Sequence, residues 1–331
     1  MSVSRSDFEV IKPLSEAKNG GCNRGVYLVK SKYSGTKYIE KRVGPSAIRA
    51  GYASREVEAM LRCKDHPNIV WIRGYNLDYS LTNYGSIYMQ HCELGSLDGV
   101  IKRYAAHNAR LPDEGFLWKV LWDVSLALCH LFSGVDAKAI RARAYEGKEC
   151  RTLKGWNATM HRDIKPGNIF LTWSPASPDD KCRYPTSVVG DFGCCTSTRD
   201  IASGRASGKR NSGGTPAFEP PEAPKFCARS DVYMLGLTIH CLARMSNTPD
   251  MKKYHTLSDR FRDGRLRALL RKCVDPDYSR RPTPGELPML VLKGYREWRK
   301  GRRDDGGRLE AWALPRESWD VVLRHIKSGL V

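Results

Sequence analysis

Two polar clusters in a chain of 331 residues carry the side chains that could do chemistry. The first, HRDIKPGNIFL at His161–Leu171, sets a carboxylate at Asp163, an ammonium at Lys165 and an amide at Asn168 within six residues. The second, GDFG at Gly190–Gly193, adds the carboxylate of Asp191. Side chains of these types can take a proton, balance anionic oxygen and hold a small hard cation. Alone, His161-Arg162-Asp163 reads as a polar turn and Asp191-Phe192-Gly193 as a hairpin bend. Their occurrence together, in this order, argues for a site.

In these motifs the sequence resembles the eukaryotic protein kinase family, over roughly residues 8–298. The resemblance implies ATP and Mg2+ as cofactors and phosphoryl transfer as the reaction, in which a protein mostly positions groups and cancels charge. On that basis Asp163 accepts the hydroxyl proton and Lys165 reaches the γ-phosphate. Asn168 and Asp191 hold magnesium, and Phe192 and Gly193 complete the metal loop.

Upstream, YIEKRV places Lys41 fifteen residues after Val26, the separation at which a hairpin brings a lysine under a glycine-rich loop. By resemblance Lys41 grips the α- and β-phosphates and Glu56 anchors it, with Glu58 as the competing partner. The loop itself is reduced. Its G-x-G-x-x-G positions fall on Asn19, Gly21 and Arg24, so only Gly21 lets backbone N–H groups approach phosphate without a Cβ in the way. Ile39 stands where the family usually has alanine, over the adenine. Met89 is expected as the gatekeeper behind the base, with backbone groups of Gln90 and Cys92 bonding it and Ser96 near the ribose. Core packing is the plain reading of Met89, and the two are compatible.

After the metal loop, GGTPAFEPPE resembles the end of a kinase activation segment. It implies Thr215 in the peptide-positioning loop and Glu222 as a terminal carboxylate paired with Arg281 of SRRPT. Asp231 in SDVYMLG resembles the helix residue that ties the catalytic loop down from below. Lys165 and Gly214-Thr215-Pro216 resemble the serine/threonine branch, while YLVKSKYSGTKY and HPNIV carry a NimA-related or fungal-type flavour. Arg162, beside Asp163, is expected to meet a phosphorylated activation segment with Ser212 or a neighbour as the site, the alternative being an unregulated loop. Retention of Lys41, Asp163, Asn168 and Asp191 favours an active protein serine/threonine kinase. The reduced glycine loop and Ile39 favour a pseudokinase scaffold that binds nucleotide or partners without turnover.

Positioning these residues takes a small sheet followed by a large helical part. From Phe8 to Val43 apolar and polar residues alternate around a Ser34-Gly35 turn, as in a hairpin. A helix in ASREVEAMLRCK and strands in NIVWIRGYNL and GSIYMQHCE follow. GFLWKVLWDVSLALCHLF, SDVYMLGLTIHCLARM, GRLRALLRKCV and PGELPMLVLKGYREW then read as helices. The expected fold class is α+β, a two-lobed protein kinase-like fold with an antiparallel-sheet N-lobe bearing one helix and a mainly helical C-lobe. Residues 1–298 form the kinase domain, with an N-lobe of about 8–89, a hinge at 90–95 and a C-lobe at 96–298. Residues 299–331 form a basic extension with a short amphipathic helix in RESWDVVLRHIK. Ser133–Thr159 and Trp173–Thr186 read as insertions in the form of exposed loops.

A composition of 41% apolar and 27% charged residues excludes a disordered chain. The net charge of +19 implies a surface that attracts acidic peptides, nucleic acid or anionic lipid, and a protein substrate, acidic in one version, is the partner expected. Basic clusters at Arg141–Arg151, Arg262–Lys272 and Arg296–Arg303 read first as solvated helix faces and loops, with docking of an acidic substrate, membrane lipid or nucleic acid as the alternative; without a nucleic-acid motif, no nucleic-acid partner is assigned. Eleven cysteines, an odd number without C-x-x-C spacing, fit reduced thiols in the cytoplasm or nucleus. The start has no apolar core of signal-peptide length. The stretches near Val120–Phe132 and Met234–Ala243 read as too short to span a membrane. Oligomeric state is not readable from the sequence.

Overall fold

The computed structural model describes residues 2–15, 23–63, 65–111, 114–173, 184–209, 213–261, 264–300 and 308–316. The chain divides into two compact units, one of Met1–Asp65, Ile69–His91 and Phe192–Cys195, the other of His66–Asn68, Cys92–Asp191 and Thr196–Val331.

In the first unit, strands β1 (Phe8–Ser15), β2 (Asn23–Ser31), β3 (Lys37–Val43), β4 (Ile72–Asn76) and β5 (Gly85–Gln90) form an antiparallel sheet in the order β1-β2-β3-β5-β4. Gly35, at φ 69°, lets the chain turn between β2 and β3. Successive side chains of a strand point to opposite faces, so Ile39 and Lys41 share one face of β3, and Tyr38 and Glu40 the other. On the second face Phe8 stacks on Tyr88 at 4.0 Å, and Tyr38 meets Phe8 and Trp71 edge-on, each at 5.9 Å. Buried Glu40 is held there by Ser86 Oγ at 2.7 Å and Arg42 Nη2 at 3.0 Å. These packed rings and the neutralised carboxylate stiffen the strand that carries Lys41.

Two helices follow β3 where one was expected: α1 (Pro45–Arg49) and α2 (Tyr52–Arg62). Pro45 starts α1 because a first-turn residue needs no amide hydrogen. Along α2, Ala53, Val57 and Met60 are buried at helical spacing.

The second unit contains α3 (Leu97–Ala106), α4 (Gly115–Ser133) and α5 (Ala137–Tyr145), then the short strands β6 (Thr159–Met160), β7 (Ile169–Thr172), β8 (Thr186–Val189) and β9 (Thr196–Ser197). Helices α6 (Thr198–Ala202), α7 (Ala228–Arg244), α8 (Gly264–Cys273) and α9 (Leu287–Arg299) complete it. Strands β7 and β8 pair antiparallel, as do β6 and β9. The core forms around α4, which packs against α5, α7, α9 and β8. Leu117, Val120, Leu121, Val124, Leu128 and Leu131 are buried, and so are Phe116, Leu126 and Ala127, giving the all-round burial of a central helix.

Three expectations change. Helix α4 reaches 19 residues, so by length and composition alone it could cross a membrane, contrary to the reading of Val120–Phe132 as too short. Its place is the core of this unit: the Lys119–Asp123 pair, 2.9 Å apart and 5% and 0% exposed, is buried there, and Asp123 also accepts the Ser187 N–H at 2.7 Å. The 133–159 insertion is no plain loop, since Asp136 caps α5 through the Ala139 N–H at 2.9 Å and Ile140 and Ala144, one turn apart, are buried. Of the 173–186 insertion, residues 174–183 lie outside the described residues, while Tyr184 is buried against Phe116 at 5.3 Å and Thr186 opens β8.

Within the C-terminal extension, residues 308–316 pack on α3: Arg103 Nε donates to Ala313 O at 2.6 Å and Trp312 stacks on His107 at 4.2 Å. The amphipathic helix expected in RESWDVVLRHIK falls, beyond Arg316, outside the described residues. The sheet-rich first part and the helical second part make up the expected α+β, two-lobed architecture.

Candidate active site

The first unit pairs a strand lysine with a helix carboxylate. Lys41 lies in register with Val26 on β2 and Ile87 on β5. Its Nζ donates to Glu56 Oε1 of α2 at 2.7 Å, with the two side chains 14% and 4% exposed. Shielding from solvent keeps this bond strong and fixes where the ammonium points. Glu58, partly exposed and two residues on, falls on another side of the helix.

Met89 is buried in β5, in register with Ile39 of β3, which is itself half-buried. The Gln90 N–H donates to Trp71 O at 3.0 Å. Phe192 is fully buried in this unit, at the head of a short turn of 3-10 helix that includes Gly193 and Cys194. Gly21, with Asn19, lies outside the described residues, whereas Arg24 is described and exposed.

In the second unit Cys92 is buried, which raises its thiol pKa, and its carbonyl accepts the Gly95 N–H at 3.2 Å. Ser96 is engaged as the N-cap of α3, its hydroxyl accepting from the Gly99 N–H at 3.3 Å. The β7–β8 pair opposes Ile169 to Val189, so Asn168 and Gly190 emerge at the same end. The Gly190 N–H donates to Asn168 O at 3.0 Å, and His161 Nε2 lies 3.0 Å from Gly190 O. The two motifs are thereby fastened to each other. Arg162 and Asp191 adopt φ of 64° and 60°, a left-handed conformation that costs a non-glycine residue about 1–3 kcal/mol and clusters at functional sites.

Asp163, 5% exposed, is the hub. Its Oδ2 accepts from Lys165 Nζ and from Asn168 Nδ2, both at 2.9 Å. Its Oδ1 accepts the Thr215 hydroxyl at 3.0 Å, and Thr215 Oγ1 in turn accepts from Lys165 Nζ at 2.6 Å. Asn168 Nδ2 also donates to Asp163 O at 2.8 Å, which turns the amide oxygen to the opposite side. That oxygen and the Asp191 carboxylate are hard donors on neighbouring loops, a set that fits Mg2+, which takes few protein ligands and completes its shell with water and phosphate.

Below the hub, Asp231 of α7 accepts the backbone N–H groups of His161 and Arg162, each at 2.8 Å. Burial pushes its carboxyl above the usual range, against the pull of His161 and those two donors. Glu222 receives both arms of Arg281 at 2.8 Å and the Ser230 hydroxyl at 2.6 Å. Burial alone would raise this carboxyl, but the hydrogen bonds from Arg281 and Ser230 prevail and hold it below its ordinary value. Arg162 Nη1 donates to Ser207 O at 3.3 Å, so it reaches the activation segment through a backbone carbonyl. Ser212 lies outside the described residues.

The bond from Thr215 to Asp163 was not foreseen; the resemblance implied only a loop position. The Gly190 links to Asn168 and His161 were missed as well, since backbone carbonyls leave no signature in side-chain types.

Comparison with curated proteins finds relatives over most of the chain. It is 30% identical over 214 residues to the G2-specific protein kinase nimA of Emericella nidulans, covering 62% of this chain and 28% of that protein. To the G2-specific protein kinase nim-1 of Neurospora crassa it is 26% identical over 247 residues, 69% of this chain and 26% of the relative. To human serine/threonine-protein kinase Nek2 it is 26% identical over 276 residues, 81% of this chain and 53% of the relative. The chain thus spans about a quarter to a half of the length of these relatives. No protein-family model matches it.

Proposed function

Because the chain belongs to the eukaryotic protein kinase family, in its NimA-related serine/threonine branch, we propose that it transfers the γ-phosphoryl group of ATP to a serine or threonine hydroxyl of a protein. The observation that carries this reading is the convergence of Lys165, Asn168 and Thr215 on the Asp163 carboxylate, all within 3.0 Å.

In the proposed roles, Asp163 aligns the acceptor hydroxyl and takes its proton on a carboxylate oxygen. Lys165, held between Asp163 and Thr215, supplies positive charge for the transferred group. Lys41, aimed by Glu56, grips the α- and β-phosphates. Met89, with the backbone of Gln90 and Cys92, serves the adenine. Magnesium held by Asn168 and Asp191 would neutralise charge on the phosphate oxygens. The proposed domain division is a kinase domain through residue 298 and a basic extension beyond it. The cytoplasm or nucleus is the proposed location, on the scattered thiols.

A second reading, a pseudokinase scaffold, draws on Ile39, half-buried and in register with Met89, since a side chain larger than alanine there would narrow the space for a base. Purified protein incubated with labelled ATP, magnesium and a generic protein acceptor separates the two. Label on phosphoserine or phosphothreonine, absent with Asp163→Asn, supports the kinase. Nucleotide binding without transfer supports the scaffold.

A further inference from the structure

Three basic stretches far apart in sequence, 137–154, 264–273 and 287–300, carry fourteen lysines and arginines against three carboxylates. The helical unit gathers them, because α9 packs against both α5 and α8. A cleft of about 400 Å³ opens between α5 and α9. Its floor is apolar, from buried Ala144 and Leu292 with half-buried Met289 and Leu290, and exposed Lys293 and Arg296 edge it. Glu297 also lines it, but its carboxylate pairs with Lys300 at 2.6 Å and opposes an incoming anion weakly.

The chemistry of this cleft selects among anions. Nucleic acid without sequence preference needs a row of open aromatic rings for stacking, whereas at this cleft Tyr145 alone is exposed and already lies against the Arg296 guanidinium at 4.5 Å, and Tyr295 is half-buried with Arg299 at 5.9 Å. A lipid surface is flat and engages apolar residues at a crest, whereas Ala144 and Leu292 sit at the bottom of a hollow. A chain segment with one apolar side chain can reach that floor while carboxylates on either side of it meet Lys293 and Arg296.

We propose that the α5–α9 cleft docks an acidic peptide segment of a partner protein, anchored by one apolar side chain on the floor. The site depends on α5, which lies inside a stretch that reads as an insertion. It concerns binding alone and stands apart from the phosphoryl-transfer reading.

The test is fluorescence anisotropy on the full chain with a labelled peptide of glutamates and aspartates around one central leucine. The pair Lys293→Glu with Arg296→Glu, both exposed, should weaken binding by about tenfold or more. The pair Arg271→Glu with Lys272→Glu on α8 changes net charge equally and should weaken it by less than about threefold. A peptide with glycine for leucine should bind the unaltered protein at least about fivefold more weakly. Equal losses from the two charge-reversed pairs, or equal binding of the glycine peptide, would show diffuse charge attraction and overturn the proposal. It is overturned equally if a single-stranded RNA of matched charge, or phosphatidylserine vesicles, displace the peptide in the unaltered protein but not in the α9 pair.

Discussion

Asp163 owes its geometry to three neighbours of different chemistry, and each can be removed separately. Thr215→Val keeps the shape but deletes the hydroxyl that bridges Lys165 and Asp163. We expect kcat to fall by about tenfold or more, the KM for ATP to stay unchanged, and Thr215→Ser to retain most activity, all readable in steady-state kinetics. Glu56→Gln removes the charge that aims Lys41. The KM for ATP should rise by about tenfold, with the melting temperature showing that the fold is retained. Most of these positions could be found from the sequence, because Asp163, Lys165 and Asn168 stand within six residues and Asp191 sits in a second short motif, GDFG. The contribution of Thr215 could not, since it reaches Asp163 from 52 positions away and nothing local encodes that meeting.

At the scale of elements, the ends of α4 and the foot of α7 carry the strictest requirements. Gly134 closes α4 at φ 76°, and a Cβ there would come within 2.4 Å of the Trp156 ring. Gly134→Ala combines backbone strain with a clash and should cost about 2 kcal/mol or more in urea unfolding. Arg281 is fully buried and Glu222 is 13% exposed, so Arg281→Met strands a shielded carboxylate and should cost about 3–5 kcal/mol at neutral pH. The pH dependence follows from the lowered Glu222 pKa. This pair contributes fully above the ordinary glutamate value of 4.5, and its contribution is lost as pH falls through the lower folded-state value. Urea curves of the two proteins should therefore converge as acid is added below that value; a constant gap would mean that Arg281 acts through packing alone. Helices α4 and α7 could be read from sequence because their apolar residues recur through many turns. Helix α5 could not, because Ile140 and Ala144 are its only buried positions and its cations mask the period. Short α1 was hidden for a related reason, with Ala47 alone buried.

Across the whole molecule, a net charge of +19 favours encounters with anionic partners, so the proposed activity should depend on salt. Phosphorylation of an acidic peptide should slow as ionic strength rises while that of a neutral peptide holds steady, a comparison made in kcat/KM at 50 and 300 mM salt. Order along the chain, sheet first and helices after, was visible in the switch from alternating to helical spacing. Asn19 and Gly21 of the reduced glycine loop, and Ser212, were legible only as sequence positions and lie outside the described residues, whereas Arg24 is described. The central claim concerns Asp163 as the group that prepares a hydroxyl for phosphoryl transfer. The direct measurement is single-turnover transfer from labelled ATP to a serine peptide by the unaltered protein and by Asp163→Asn, at saturating nucleotide and with ATP affinity measured for both. The account predicts matched affinities and a rate lower by roughly 10²–10⁴-fold in the variant. Equal transfer rates, or no transfer by the unaltered protein with ATP bound, would contradict it.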